Sequence, residues 1–98
     1  MTDELIAFVR ASLADDVRMA REIGNVMVTQ ASDEDRNRAE VHARRSLEAA
    51  EAAVTLFEET IRPYLGTAGP TGRIAEQQLR IMACMFADHA GFKPEMRL

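Results

Sequence analysis

The side chains with the strongest claim to chemistry are His42, Cys84, Asp88 and His89. A thiolate, a carboxylate and an imidazole together make a donor set that suits zinc. Cys84 and Asp88 stand four apart, on one face of any helix that carries both, with His89 adjacent. The spacings of built metal sites are missing, however, since the chain has no H-E-x-x-H, C-x-x-C or E-x-x-H. A ferritin-like di-iron bundle needs inward carboxylates and two Glu-x-x-His pairs, and no Glu precedes either histidine at that distance. A Cys–His nucleophilic pair fares no better. Cys84 and His89 lie five apart, roughly 140° around a helix, so they do not face each other. His42 meets Cys84 only if the fold brings them together. The plainer reading makes Cys84 a small buried hydrophobe. It makes His89 a donor, or a positive charge, for the free carbonyls at a helix end. The chain is therefore read as non-enzymatic, with no catalytic, cofactor-binding or metal-binding residue.

A second constellation is basic. Arg36, Arg38, Arg44 and Arg45 gather within ten residues, diluted by Glu40. An arginine-rich helix can enter a major groove, so a small DNA-binding regulator is the alternative reading. Asn37 is the only amide nearby to read a base, and the connections lack the three- to four-residue turn of a helix-turn-helix. The net charge of −4 also opposes binding by phosphate neutralisation. A solvated face of intrahelical ion pairs accounts for the same arginines. Eleven of the twelve basic residues are Arg, a bias that reflects a GC-rich genome more than site chemistry.

These residues need elements to position them, and the longest lies at 32–62. Ala43, Leu47, Ala50, Val54, Phe57 and Ile61 recur at steps of four and three, an a/d seam free of Gly and Pro. Ser32 is the expected N-cap, with Asp35 in an approximate capping box. Glu34–Arg38, Glu40–Arg44 and Glu58–Arg62 are i, i+4 pairs in the favourable order. Pro63 closes the helix. At 1.5 Å rise such a helix is about 45 Å long. A compact chain of this size is only about 30–35 Å across. The seam thus requires either an elongated hairpin or a second chain, and self-association as a homodimer is the expectation.

The flanking elements are shorter. A first helix is predicted at about 3–23, with Ile6, Val9, Leu13, Val17 and Ala20 inside, widened by Leu5 and Phe8. Gly24 and Asn25 are a plausible stop. The alternatives at 24–31 are a helix continued to about Thr29, a loop, or a short extended piece. A linker punctuated by Gly66, Gly69, Pro70 and Gly72 leads to a third helix at about 72–89. Its inner side is expected to hold Ile74, Leu79, Met82, Met85 and Phe86. Gly91 is placed for an αL cap, with Phe92 in its hydrophobic contact and Pro94 beyond. Together these predict one all-α domain over 1–98, a three-helix antiparallel bundle with one long central helix.

The totals agree. Ninety-eight residues, 47% apolar, can form one core, although four Phe, one Tyr and no Trp leave many core positions to alanine. The lone Cys84 suits a reducing compartment. No basic, apolar leader or membrane-length apolar run is visible, so a cytoplasmic location without membrane association is expected.

The two ends of the chain carry a resemblance. The opening Asp3-Glu4-Leu5-Ile6-Ala7-Phe8-Val9-Arg10-Ala11-Ser12-Leu13-Ala14-Asp15-Asp16 and the closing Leu79-Arg80-Ile81-Met82-Ala83 and Phe86-Ala87-Asp88-His89-Ala90-Gly91-Phe92 are similar to a family of small actinobacterial and actinophage proteins. Its members begin with an acidic-Leu-x-x-Phe helix and end in a Tyr/Phe-Ala-Asp-His motif. The likeness covers about forty residues. The chain departs from the family in lacking the Pro-Trp segment that follows helix one, with Gly24 to Ala31 in its place. The family is a domain of unknown function, so the resemblance implies a helix layout and singles out Phe86, Asp88 and His89. The expected role is that of a non-catalytic interaction protein, a phage or prophage product that binds a host protein.

Overall fold

The computed structural model describes residues 2–98. They form three α-helices, α1 (Thr2–Gln30), α2 (Arg36–Leu56) and α3 (Gly69–Met85), with no strand among the described residues. α1 and α2 make an antiparallel hairpin, and α3 packs on its base. The molecule measures 55 × 25 × 17 Å with a radius of gyration of 16.4 Å. A compact chain of this length would have a radius near 13 Å. The elongated hairpin is therefore the answer to the long seam.

α1 is a single helix of 29 residues, so the stop at Gly24 does not occur and the alternative of a helix continued to about Thr29 holds. Gly24 is instead buried inside the helix, where an added Cβ would lie 3.0 Å from the Cβ of Ala43. Its missing side chain lets α1 and α2 approach closely, and this contact carries the helix through Val26–Val28. The short extended piece considered for this stretch is replaced by helix.

α2 also differs from its expected span of 32–62. Ser32 does not cap it directly. Residues 33–35 form a turn held by Asp35 N–H donating to the Ser32 carbonyl at 3.0 Å and to its hydroxyl at 3.3 Å. The α-helix then gives way at its far end to a π-turn, Phe57–Ile61, and a 3-10 turn, Arg62–Tyr64. Pro63 is the physical reason. It has no N–H for the carbonyl four residues back and its ring crowds that carbonyl, so the preceding turn cannot keep the α register. Arg62 N–H reaches back five residues to the Phe57 carbonyl instead. Thr60 Oγ1 donates to the Leu56 carbonyl in the same turn.

α3 begins at Gly69 and ends at Met85, three to four residues earlier than expected at either end. Pro70 in the first turn suits a helix start, because its fixed φ is helical and its missing N–H would be unpaired there anyway. Gly72 is required by space: a Cβ there would fall 1.9 Å from the Thr67 carbonyl oxygen. The inner face is Ala75, Leu79, Met82, Ala83 and Phe86. Ile74 and Met85, expected inside, project into solvent. The core joins these residues to Leu5, Phe8, Val9 and Leu13 of α1, Phe57 and Ile61 of the π-turn, and Met96 of the tail. All of it sits at the base of the hairpin. No side chain of α2 proper is fully buried.

Candidate functional site

The C-terminal corner gathers three of the four residues first considered for chemistry. α3 stops at Met85 and the chain turns through Phe86–Phe92 by a series of i+3 bonds, including His89 N–H to the Phe86 carbonyl at 2.9 Å. Gly91, at φ +93°, lets the chain fold back against the Phe8 ring, which lies 3.6 Å from its would-be Cβ. It is a corner residue here and not the cap of α3. The tail then packs: Phe92 meets Phe8 with ring centroids 5.7 Å apart, Lys93 pairs with Glu4 at 3.3 Å, and Met96 is buried.

Within this corner Cys84 and His89 are engaged in packing contacts, and Asp88 is not. The Cys84 thiol is half-buried and donates to the Met96 carbonyl at 3.7 Å, tying α3 to the tail. His89 stacks edge-on against Phe86 with centroids 5.0 Å apart, and its Nε2 stands 3.6 Å from Asp16 Oδ1 on α1. Asp88 points to solvent. His42 is elsewhere, on the outer half of α2 beside Ile23, Met27 and Ser46. Among the described residues no three metal-ligating side chains converge. The corner positions a chain reversal. It does not assemble a nucleophile with a base.

The basic patch is divided by helix geometry. Arg38 and Arg45 are seven apart and share a face, while Arg36 and Arg44 lie on others. Arg36 pairs with Asp33 at 3.1 Å, Arg38 with Asp35 at 3.9 Å and Arg44 with Glu48 at 3.8 Å. None of these is a pair expected from the favourable i, i+4 order. Glu58, expected beside Arg62, takes a bidentate pair from Arg10 on α1, at 2.7 and 3.0 Å. That guanidinium, through its hydrogen bonds and charge, holds the Glu58 carboxyl below its ordinary value.

The helix-two seam closes the hairpin from within. Phe57 and Ile61 are in the core at the base, and Ala43, Leu47, Ala50 and Val54 are half-buried. Ala43 packs on Gly24, and Val54 lies beside Ala14 and Val17. The seam therefore has a partner in α1.

An exposed apolar stripe lies on α1. Leu5 and Ser12 are buried at the base, and the same heptad position continues outward as Met19 and Val26, which are 42% and 52% exposed. Ile23 at 52% and Met27 at 36% widen the stripe. His89 touching Asp16 marks where the covering layer ends. Beyond it the two-helix arm (17–30 with 36–52) has a shallow groove of about 140 Å³ between Ile23, Gly24 and Met27 of α1 and His42, Ala43 and Ser46 of α2. The opposite side of the arm carries a wider groove of about 380 Å³ that includes Arg21 and Arg44. The heptad from Leu5 carries the signal for the exposed stripe, which a helix ending at Gly24 would cut short.

Base and arm together define an all-α hairpin protein with a third helix and a tail closing one end. No family model, curated protein or solved structure matches the chain.

Proposed function

We propose that the protein is a non-catalytic helical interaction protein that presents its two-helix arm to another protein. On this reading the terminal likeness suggests an actinobacterial or phage product, for which a host protein is a natural partner. One observation carries the reading: a stripe of Met19, Ile23, Val26 and Met27 continues the core-facing positions of α1 into a region where nothing covers it. A methionine-containing apolar patch is adaptable and suits protein contacts. The polar constellations support the same reading, because the Cys84 thiol, the His89 imidazole and Arg36, Arg38 and Arg44 are engaged in packing and local pairs. The test is a photo-crosslinking residue placed at Val26 in cells, with one at exposed Glu95 as control. The arm position should give a discrete protein adduct that the control lacks, and matching empty profiles at both would refute the reading.

A further inference from the structure

We infer that the uncovered face of the arm is a self-pairing surface, whose occupant is the arm of a second copy laid antiparallel across it. The inference rests on the reading of the protein as an interaction protein and names its partner. Three observations carry it.

The first is the symmetry of the stripe. Ile23 is central, with Met19 four residues before it and Val26 and Met27 three and four residues after. A two-fold axis beside Ile23 therefore sets Ile23 against its counterpart and each Met19 against the partner's Val26 and Met27. This is the self-complementary arrangement that an isologous interface requires, with the 4-3 spacing of an antiparallel helix zipper.

The second is the position of α3. It occupies this same side of the hairpin at the base, so two parallel arms would drive two α3 helices into one place. Antiparallel arms avoid this, each arm tip ending against the other copy's base. The uncovered part of α1, residues 17–30, is about 21 Å long at 1.5 Å per residue. A second arm extends the layer that α3 begins.

The third is charge. Residues 17–52 carry six arginines and seven carboxylates, so the arm is nearly neutral although the chain is at −4. Arg18, which borders the stripe, is already bonded to Asp15 and, at 3.1 Å, to Glu22. The arm as a whole therefore carries little net charge to oppose a second copy. Two such arms, each about 20 Å wide, cover roughly 400 Å² apiece, or about 800 Å² together, below the usual size of stable interfaces. The pairing is accordingly weak and concentration-dependent.

Light scattering on the full chain tests this, from about 10 µM to about 1 mM, a range that brackets weak association. The mass should rise from 10.9 kDa towards twice that value. Ile23→Glu, which places two carboxylates at the axis, should hold it at the monomer mass with helical circular dichroism unchanged. In a Cys84→Ser background, Ile23→Cys should form an interchain disulfide on mild oxidation, while Arg21→Cys on the opposite side should not. A constant monomer mass overturns the self-pairing, as does a dimer indifferent to Ile23→Glu. If the monomer still gives the Val26 adduct with another protein, only the self-pairing falls. If it gives none, both readings fall.

Discussion

The base and the arm are built from the same two helices, yet they are held together by different means. At the base, α1 and the π-turn enclose Leu5, Val9, Phe57 and Leu79, none of which keeps measurable exposure. In the arm the two helices meet through Gly24, Ala43, Leu47 and Ala50, and only Gly24 is fully buried. Two layers bury a face on each side of one contact, whereas a third layer closes the contact from above. The comparison shows that helix length and helix stabilisation are separate matters here. α2 is long because the hairpin is long, not because its own residues reach a core.

The largest expected difference comes from deleting side chains in the two regions. Leu79→Ala removes a fully buried chain at the centre of the base and should cost about 2–5 kcal/mol, enough to unfold much of a small domain. Leu47→Ala, in the half-buried seam of the arm, should cost well under half as much in urea unfolding. Equal losses would mean that arm and base form one cooperative core.

Glycine substitutions sharpen the contrast at smaller scale. Gly72→Ala sets a methyl 1.9 Å from a backbone carbonyl that the linker fixes in place, so the start of α3 must shift and thermal stability should fall clearly. At Gly24 the crowding atom is the Ala43 side chain at 3.0 Å, on a helix that is free to part slightly. Alanine also gains roughly 1 kcal/mol of helix propensity there. Gly24→Ala should therefore leave thermal stability almost unchanged, and a drop as large as that of Gly72→Ala would show the arm to be as rigid as the base.

The smallest effect is electrostatic. Arg10 holds Glu58 ionised below its ordinary carboxyl value, so the pair's contribution is complete above the unfolded value of 4.5. It disappears as the pH falls through the lowered folded value. Both groups are exposed, so the effect is modest. Glu58→Gln should lower thermal stability slightly at pH 7 and match the parent in strong acid. A gap that persists in acid would assign the loss to packing.

Much of this was legible in the residues. Periodicity alone placed three helices in one all-α domain, and the span of the seam required an elongated form. What escaped has local physical causes. A glycine in a helix reads as a stop until the facing Ala43 is known, because close approach is a property of two helices. Pro63 marks an end in the sequence, but the chain answers its missing N–H by widening the turn before it. Pro70 among glycines looks like linker, although a proline also suits the first turn of a helix. Cys84 lies on α3 and His89 beyond its end, so the roughly 140° expected between them around one helix does not apply, and each meets a different neighbour. The bond from Cys84 to Met96 depends on the returning tail and the approach of His89 to Asp16 on a corner folded against α1, and no local pattern encodes either.

The π-turn at Phe57–Ile61 has a further consequence for how the molecule tolerates change in chain length. A π-turn is the form in which a helix holds one residue more than its α register allows. Removing one there, with Glu59 the exposed choice, would turn α2 by about 100° relative to the segment that follows it. The base would keep Phe57 or Ile61 in its core, while the arm would meet α1 with a different set of side chains. Insertions or deletions at this one turn can thus re-aim the outer surface and leave the core sequence untouched. Diversity among related chains is expected to concentrate there as differences in length.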